Sequence, residues 1–470
     1  MCGIFFSNKT CERTIDLVKN RGRDIQNLHS LDPYTLFSSV LSFQGTVPQP
    51  IFENGSILQY NGEIYGLKTS SDTLFIKNLI MEVSNTPCRC SKVFYLSESG
   101  WEGVEGNCMC FQKKVFDKIN EYENEIAMVI FKNDELYFAK DLLGRRSLGY
   151  CFGPKAEDTI KVCSVNFEKE VDVNFFYKIN LKTKKLYKME RKNFYEMLPK
   201  NLNSKKSQNI VESANYLENL ICDSIKLRKI SSNNIIGFSG GIDSFIIALC
   251  MHKVLDIKEK IYLINTSFIS TSWDKIKGLK NYEELKKKFP EREFIYIEND
   301  VENIEIDEIG ELTYPKKSNM DINIASCHYY TAKKAFEFGT CLFIGSGADE
   351  LFGGYKKYAD NPRDAKKLMK EDVLNMWDRN LGRDDRVIAN FVESRFIFLD
   401  SKILKFADEL PLDFLINKEE NKIILRQILR NNNFFDVSNT KKVATQFGTG
   451  ARKIEIKMFK ENSLKNLELK

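Results

Sequence analysis

Apolar and polar positions along this chain follow two different periods. Toward the front they alternate. Glu125 to Phe131 and Leu136 to Lys140 alternate about the polar tip Lys132-Asn133-Asp134-Glu135, which predicts an antiparallel hairpin. Ile4-Phe5-Phe6 reads as a strand, Tyr60 to Tyr65 as a strand-edge segment, and Ser71-Asp72-Thr73 as the capped start of a helix. Farther on, short apolar runs at Ile235 to Phe238, Ile261 to Asn265, Phe294 to Ile297 and Leu342 to Gly345 alternate with helical patterns at Val211 to Arg228, Tyr282 to Phe289 and Ile324 to Phe338. Strand and helix in alternation predict a parallel sheet with helices on both faces, open to ligands at the carboxyl ends of its strands. Lysines crowd residues 178–206, and a polar linker at 196–210 divides a domain at 1–195 from one at 211–470. Residues 85–110 read as an inserted loop.

One stretch dominates the second regime. The run Ile235 to Phe238 ends in Ser239-Gly240-Gly241, and an apolar helix pattern follows through Phe245, Ile246, Ile247, Leu249 and Cys250. Strand, glycine turn and helix aim backbone N–H groups and a helix N-terminus at an anion. Gly240 and Gly241 admit close backbone approach, while Ser239 and Ser244 add hydroxyls. Asp243 beside a phosphate is unfavourable without an intervening cation, so it reads as a magnesium ligand. The Lys of a Walker loop does not follow the glycines, so the run resembles instead the pyrophosphatase-type phosphate loop of ATP-cleaving synthetases. At a second strand end, Gly345-Ser346-Gly347 precedes Asp349, which with Asp243 makes a carboxylate pair suited to magnesium on ATP phosphates.

Composition narrows the options. Hydrophobic residues make up 43% and charged residues 29% of 470, and the net charge is only +5, which argues against a nucleic-acid partner. No apolar run is long enough to span a membrane. The N-terminus has no basic region and no long apolar core, so it is not read as a signal peptide, and twelve cysteines are then expected as reduced thiols in the cytoplasm. Cys88, Cys90, Cys108 and Cys110 could bind zinc, but two Cys-x-Cys pairs lack the usual spacing and are read as reduced. With only three histidines, a His-assisted nucleophile is poorly supported.

Cys2 offers another route. Removal of Met1 would leave a thiol beside its own α-amine, which titrates near about pH 8 and can serve as the base. A buried strand cysteine is the plainer alternative. Asn61 and Gly62 can hold a developing oxyanion, and Asp72, with Glu63 nearby, can receive the amino group of an amino-acid substrate.

With the turn Asn20 to Asp24 and the stretches Asp141 to Leu148 and Arg379 to Arg386, these residues resemble the N-terminal-nucleophile glutaminase of class II glutamine amidotransferases joined to an ATP synthetase domain. Together they look like the asparagine synthetase family, within it the branch of asparagine synthetase domain-containing proteins, from Cys2 to about Lys453. The resemblance implies an α+β sandwich (αββα) followed by an α/β parallel-sheet domain of the adenine-nucleotide alpha-hydrolase type. It implies ATP and Mg2+, glutamine as nitrogen donor, aspartate or another carboxylate as acceptor, Lys442 (or Lys441) on the leaving pyrophosphate, and leaves a homodimer open. Two positions depart from the family pattern. Val40 stands where an arginine holds the glutamine carboxylate, unless Arg21 or Arg23 substitutes, and Ser346 stands where a glutamate is usual. A ligase that forms an adenylate without glutamine, and a non-catalytic ATP- or partner-binding member, therefore remain open beside the glutamine-hydrolysing amide synthetase.

Overall fold

The computed structural model describes residues 2–451, apart from 44, 70, 84–92, 98, 105–108, 154–157, 199–208, 230–233, 317 and 441–444. The chain forms two compact units. The first joins Met1–Leu198 to a later segment, Leu374–Asn390, and the second holds Pro199–Val373 and Phe391–Lys470.

Two antiparallel sheets build the first unit. One has the spatial order Lys169–Glu170, Gly149–Phe152, Ile160–Cys163, Gly3–Ser7, Tyr34–Val40, Ile25–Leu31. The other runs Ile51–Glu53, Ser56–Ile64, Asn124–Lys132, Glu135–Lys140, Phe175–Asn180, Lys185–Glu190, Val93–Ser97, Gly100–Val104. Ile4, Phe6 and Leu36 of the first sheet meet Ala127, Val129 and Phe138 of the second in one core. Ile126, Met128 and Ile130, pointing the other way, pack on Ile76, Ile80, Val115 and Phe116 of the helices Asp72–Glu82 and Cys110–Ile119. Helix Glu12–Lys19 lies on the first sheet, where Ser39 Oγ donates to Val18 O. The layers thus run helix, sheet, sheet, helices. The hairpin at 124–140 is therefore buried on both faces, as its side chains Ile126 to Ile130 show.

Within 85–110 the expected loop is corrected where the structure is described. Val93–Ser97 and Gly100–Val104 pair in register, Phe94 with Gly103 and Leu96 with Trp101, and extend the second sheet. Lys188 lies over the rings of Trp101 and Phe175, at 4.3 and 4.1 Å, tying the hairpin down by cation–π contact. Cys110 is disulfide-bonded, which corrects the reduced thiol expected there. Cys88, Cys90 and Cys108 lie outside the described residues.

The second unit holds a five-stranded, wholly parallel sheet in the order Phe294–Asp300, Ile261–Ser267, Asn234–Gly237, Cys341–Ile344, Glu393–Phe396. The chain builds outward from Asn234–Gly237 in one direction and then returns to its other side. The carboxyl ends of Asn234–Gly237 and Cys341–Ile344 therefore flank a topological switch point, where side loops diverge and leave a crevice.

Candidate functional site

Each unit carries one constellation that sequence reasoning singled out. In the first, strand Gly3–Ser7 begins directly after Cys2, whose thiol-bearing residue is buried. Cys2 N donates to Asn61 Oδ1 at 2.9 Å. Asn61 is fully buried, and its Nδ2 has no hydrogen-bond partner among the described residues. A buried unmatched donor costs about 1–3 kcal/mol, so its retention beside Cys2 marks a place for an acceptor. Gly62 has φ +134°, and a Cβ there would lie 1.9 Å from Glu125 O, so both its conformation and its neighbour demand glycine.

Asp72 is buried and held by four hydrogen bonds. Its carboxylate accepts from Tyr60 Oη at 3.0 Å, Ile64 N at 3.4 Å, Thr73 N at 2.7 Å and Thr73 Oγ1 at 3.3 Å. Burial outweighs these donors and raises its pKa to about 6. Tyr60 is pushed up as well, first by burial and then by the charges of Asp72 and Glu63. Glu63 is buried two residues past Asn61. An acid whose pKa rises on folding stabilises the native state below its unfolded value and loses that contribution as pH climbs through its folded value. The stability difference between wild type and Asp72→Asn should therefore change between about pH 4 and pH 6 and level off above it, which paired denaturation curves across that window would check.

The end of strand Tyr34–Val40 supplies no cation. Val40 is buried, and the next residue's carbonyl, Leu41 O, is 4.0 Å from Cys2 Sγ. Neither arginine offered as a substitute is uncommitted. Arg21 Nη2 pairs with Asp385 at 2.9 Å, with both side chains buried, and its Nε donates to Cys2 O at 3.4 Å. Arg23 Nη2 donates to Asn390 O.

In the second unit the glycine turn has the geometry an anion needs. Gly240 sits at φ +68°, and a Cβ there would meet the backbone of Gly278 at 2.6 Å. Asn281 Nδ2 holds Gly240 O at 2.6 Å. Gly241 N donates to Ser239 Oγ, and Ser244 Oγ donates to Gly241 O, both at 3.2 Å. Helix Ile242–Val254 has no side-chain cap, so its first N–H groups face outward from the strand end. Asp274 holds Lys277 Nζ at 3.0 Å, which brings that cation to 3.9 Å from the Cβ position of Gly241.

Across the switch point, Gly345 packs against Asp243, with 3.0 Å between its Cβ position and Asp243 Cβ. Ser346 and Gly347 follow, the latter at φ +93° ahead of the short helix Ala348–Leu351. Asp243 and Asp349 converge on one cation that sequence reasoning missed. Lys422 Nζ lies 2.8 and 2.6 Å from the two Asp243 oxygens and 2.5 Å from Asp349 Oδ1. Burial alone would lower the Lys422 pKa, but the two carboxylates outweigh it and raise it. Two aspartates that already share one positive charge, with about a fifth of each side chain exposed, suit a magnesium that keeps waters and substrate phosphates as its other ligands. No local signal marks Lys422; it precedes an apolar helix, Ile423–Asn431, in a left-handed conformation at φ +54°. Lys441 and Lys442 lie outside the described residues.

Residues 217–380 and 361–468 match the family described as Asparagine synthase. A Saccharomyces cerevisiae asparagine synthetase domain-containing protein is 30% identical over 519 aligned positions, which cover 96% of this chain and 92% of that protein. Asparagine synthetase domain-containing protein 1 of Gallus gallus is 24% identical, over 46% of this chain and 45% of its own. A Methanocaldococcus jannaschii protein named putative glutamine-hydrolyzing asparagine synthetase 1 is 29% identical, over 47% and 41%. With the phosphate-type loop, the paired aspartates and a near full-length relative in agreement, this chain belongs to the asparagine synthetase family.

Proposed function

We propose that this protein is an ATP-dependent ligase that converts a carboxylate to an amide, with glutamine as nitrogen donor and aspartate as the default acceptor. The observation that carries the reading is the convergence of Asp243 and Asp349 on Lys422 beside the Ser239–Ser244 turn. The two units are read as an N-terminal-nucleophile sandwich and an adenine-nucleotide alpha-hydrolase-like domain, in a cytoplasmic enzyme. Among the described residues no helix is long and apolar enough to cross a membrane.

In the first unit, Cys2 Sγ attacks the side-chain carbonyl carbon of glutamine. The nitrogen of Cys2, an α-amine once Met1 is removed, takes the thiol proton. Asn61 Nδ2 and the Gly62 N–H hold the negative oxygen. Ammonia leaves, and water hydrolyses the thioester to glutamate. Asn61 Oδ1 orients the base, being 2.9 Å from it. In the second unit, an acceptor carboxylate oxygen attacks the α-phosphorus of ATP and pyrophosphate departs. Ammonia then displaces AMP from the acyl-adenylate. The Gly240 N–H and the Ser239 hydroxyl hold phosphate oxygens, the Gly241 N–H and the Ser244 hydroxyl brace the turn that presents them, and the Lys422 ammonium offsets the charge of Asp243 and Asp349 beside them. The loop Gly345-Ser346-Gly347 lines the far side. Asp243 and Asp349 would hold magnesium by their partly exposed carboxylates, and the ion would neutralise charge on the phosphates.

Asparagine formation from aspartate, ATP and glutamine tests the reading, with free ammonia as a parallel nitrogen source. Turnover with neither source would sink it. A second reading, a ligase that uses ammonia without glutamine, is favoured by Val40 and by the commitment of Arg21 to Asp385. A missing charge-assisted hydrogen bond is worth roughly 1.5–3 kcal/mol, or about ten- to a hundredfold in affinity. The glutamine KM is expected to be raised by about that factor over members that carry the arginine, and steady-state glutamine hydrolysis measures it directly.

A further inference from the structure

Asp385 belongs to the stretch Leu374–Asn390, which leaves the second unit after Val373, packs into the first, and returns at Phe391. Its side chain is fully buried and takes Arg21 Nη2 at 2.9 Å, Ser147 N at 2.9 Å and Arg146 Nη1 at 3.5 Å. Each arginine leads to one half of the Cys2 centre. Arg21 also donates to Cys2 O. Arg146 Nη2 also pairs with Glu125 at 3.0 Å, with both side chains wholly buried. The carbonyl of Glu125 is the group against which Gly62 is seated. The stretch is shaped for this berth. Gly144, at φ +68°, leaves room for Trp377, whose Cβ is 2.6 Å from its Cβ position, and Glu170 holds both Lys140 and Arg386.

We propose that Asp385 is a positioning residue for the Cys2 centre. Through Arg21 it sets the nucleophile's backbone, and through Arg146 and Glu125 it sets the backbone beside the oxyanion donors Asn61 and Gly62. A buried ion cluster is poor glue, because apolar replacements of the same shape are often neutral or stabilising. What two guanidinium groups, each with one nitrogen on the Asp385 carboxylate and another on the Cys2 or Glu125 side of the centre, do supply is fixed direction. Asp385 joins two fragments of a site that must agree to well under an ångström, although it is far along the chain from both. The proposal rests on the reading of Cys2 as nucleophile, and two independent readouts separate them.

In the full-length protein, Asp385→Asn keeps the shape and removes the charge. Glutamine-hydrolysis kcat should fall about a hundredfold, the loss expected from a misplacement of about 1 Å, with KM little changed and ammonia-dependent amide formation retained. Amide hydrogen exchange at residues 2–7 and 60–64 should accelerate. Asp384→Asn, on the same helix, Gly382–Ile388, but paired with Arg383 at 2.8 Å, should leave all of these at wild-type values. If Asp385→Asn does not fold, Arg21→Lys reads the same linkage, because it keeps a cation but loses the fork. Unaltered exchange at both segments, or wild-type kcat in a folded Asp385→Asn, overturns the proposal. Accelerated exchange in a protein whose wild type hydrolyses no glutamine supports the linkage and rejects the nucleophile instead.

Discussion

Asp243→Asn and Asp349→Asn should each abolish release of pyrophosphate from ATP while the fold survives. The two carboxylates sit on different elements, one in the first turn of Ile242–Val254 and one in Ala348–Leu351, yet both grip the same ammonium. An amide keeps the volume and removes the charge that a magnesium-bound triphosphate requires. Lys422→Met should act in the opposite sense on folding. It leaves two facing carboxylates without their cation, which costs about 3 kcal/mol, the low end for a broken buried pair because the carboxylates are partly exposed. Added Mg2+ should then raise the melting temperature of Lys422→Met more than that of the wild type, since a cation that binds only the folded state stabilises it. Undiminished pyrophosphate release in either aspartate variant would remove the site from the mechanism.

Cys2→Ala should abolish glutamine-dependent turnover and spare turnover on free ammonia. The substitution removes the sulfur and leaves the nitrogen that Asn61 Oδ1 accepts from, so the strand Gly3–Ser7 keeps its place. Equal loss with both nitrogen sources would contradict two separate sites. Mass spectrometry of the purified protein supplies an earlier check. A retained Met1 would leave an amide where the base is needed, because an acylated nitrogen does not take up a proton near neutral pH. Gly62→Ala is a poor test of the oxyanion donors, since a methyl group 1.9 Å from Glu125 O cannot be accommodated.

Much of the second unit was readable from local signals. The strand before Ser239, the glycine turn and the helix after it are encoded within about fifteen adjacent residues, because backbone conformation and burial period are short-range properties. The strand runs at Ile261, Phe294 and Leu342 were readable on the same ground, with ends shifted by one to three residues. Cys2, Asn61, Gly62, Asp243 and Asp349 were chosen on residue chemistry, and the structure brings Cys2 to Asn61 and Asp243 to Asp349.

What the chain order could not reveal was pairing at long range. Lys422 meets Asp243 across 179 residues, and nothing in its surroundings distinguishes it from a surface lysine. Asp385 meets Arg21 across 364 residues. The two motifs that contain Asp385 and Arg146 are each recognisable alone, yet only the fold shows that they make one cluster. Asp72 was read as able to receive a substrate amino group, and the four donors that surround it come from Tyr60, Ile64 and Thr73, on a strand and a helix start that the chain order alone does not bring together. Local sequence thus determined which backbone shapes and which chemical groups exist. The tertiary structure alone decided which charges neutralise one another, because that depends on strand order and on burial, and neither is a property of neighbours in the chain.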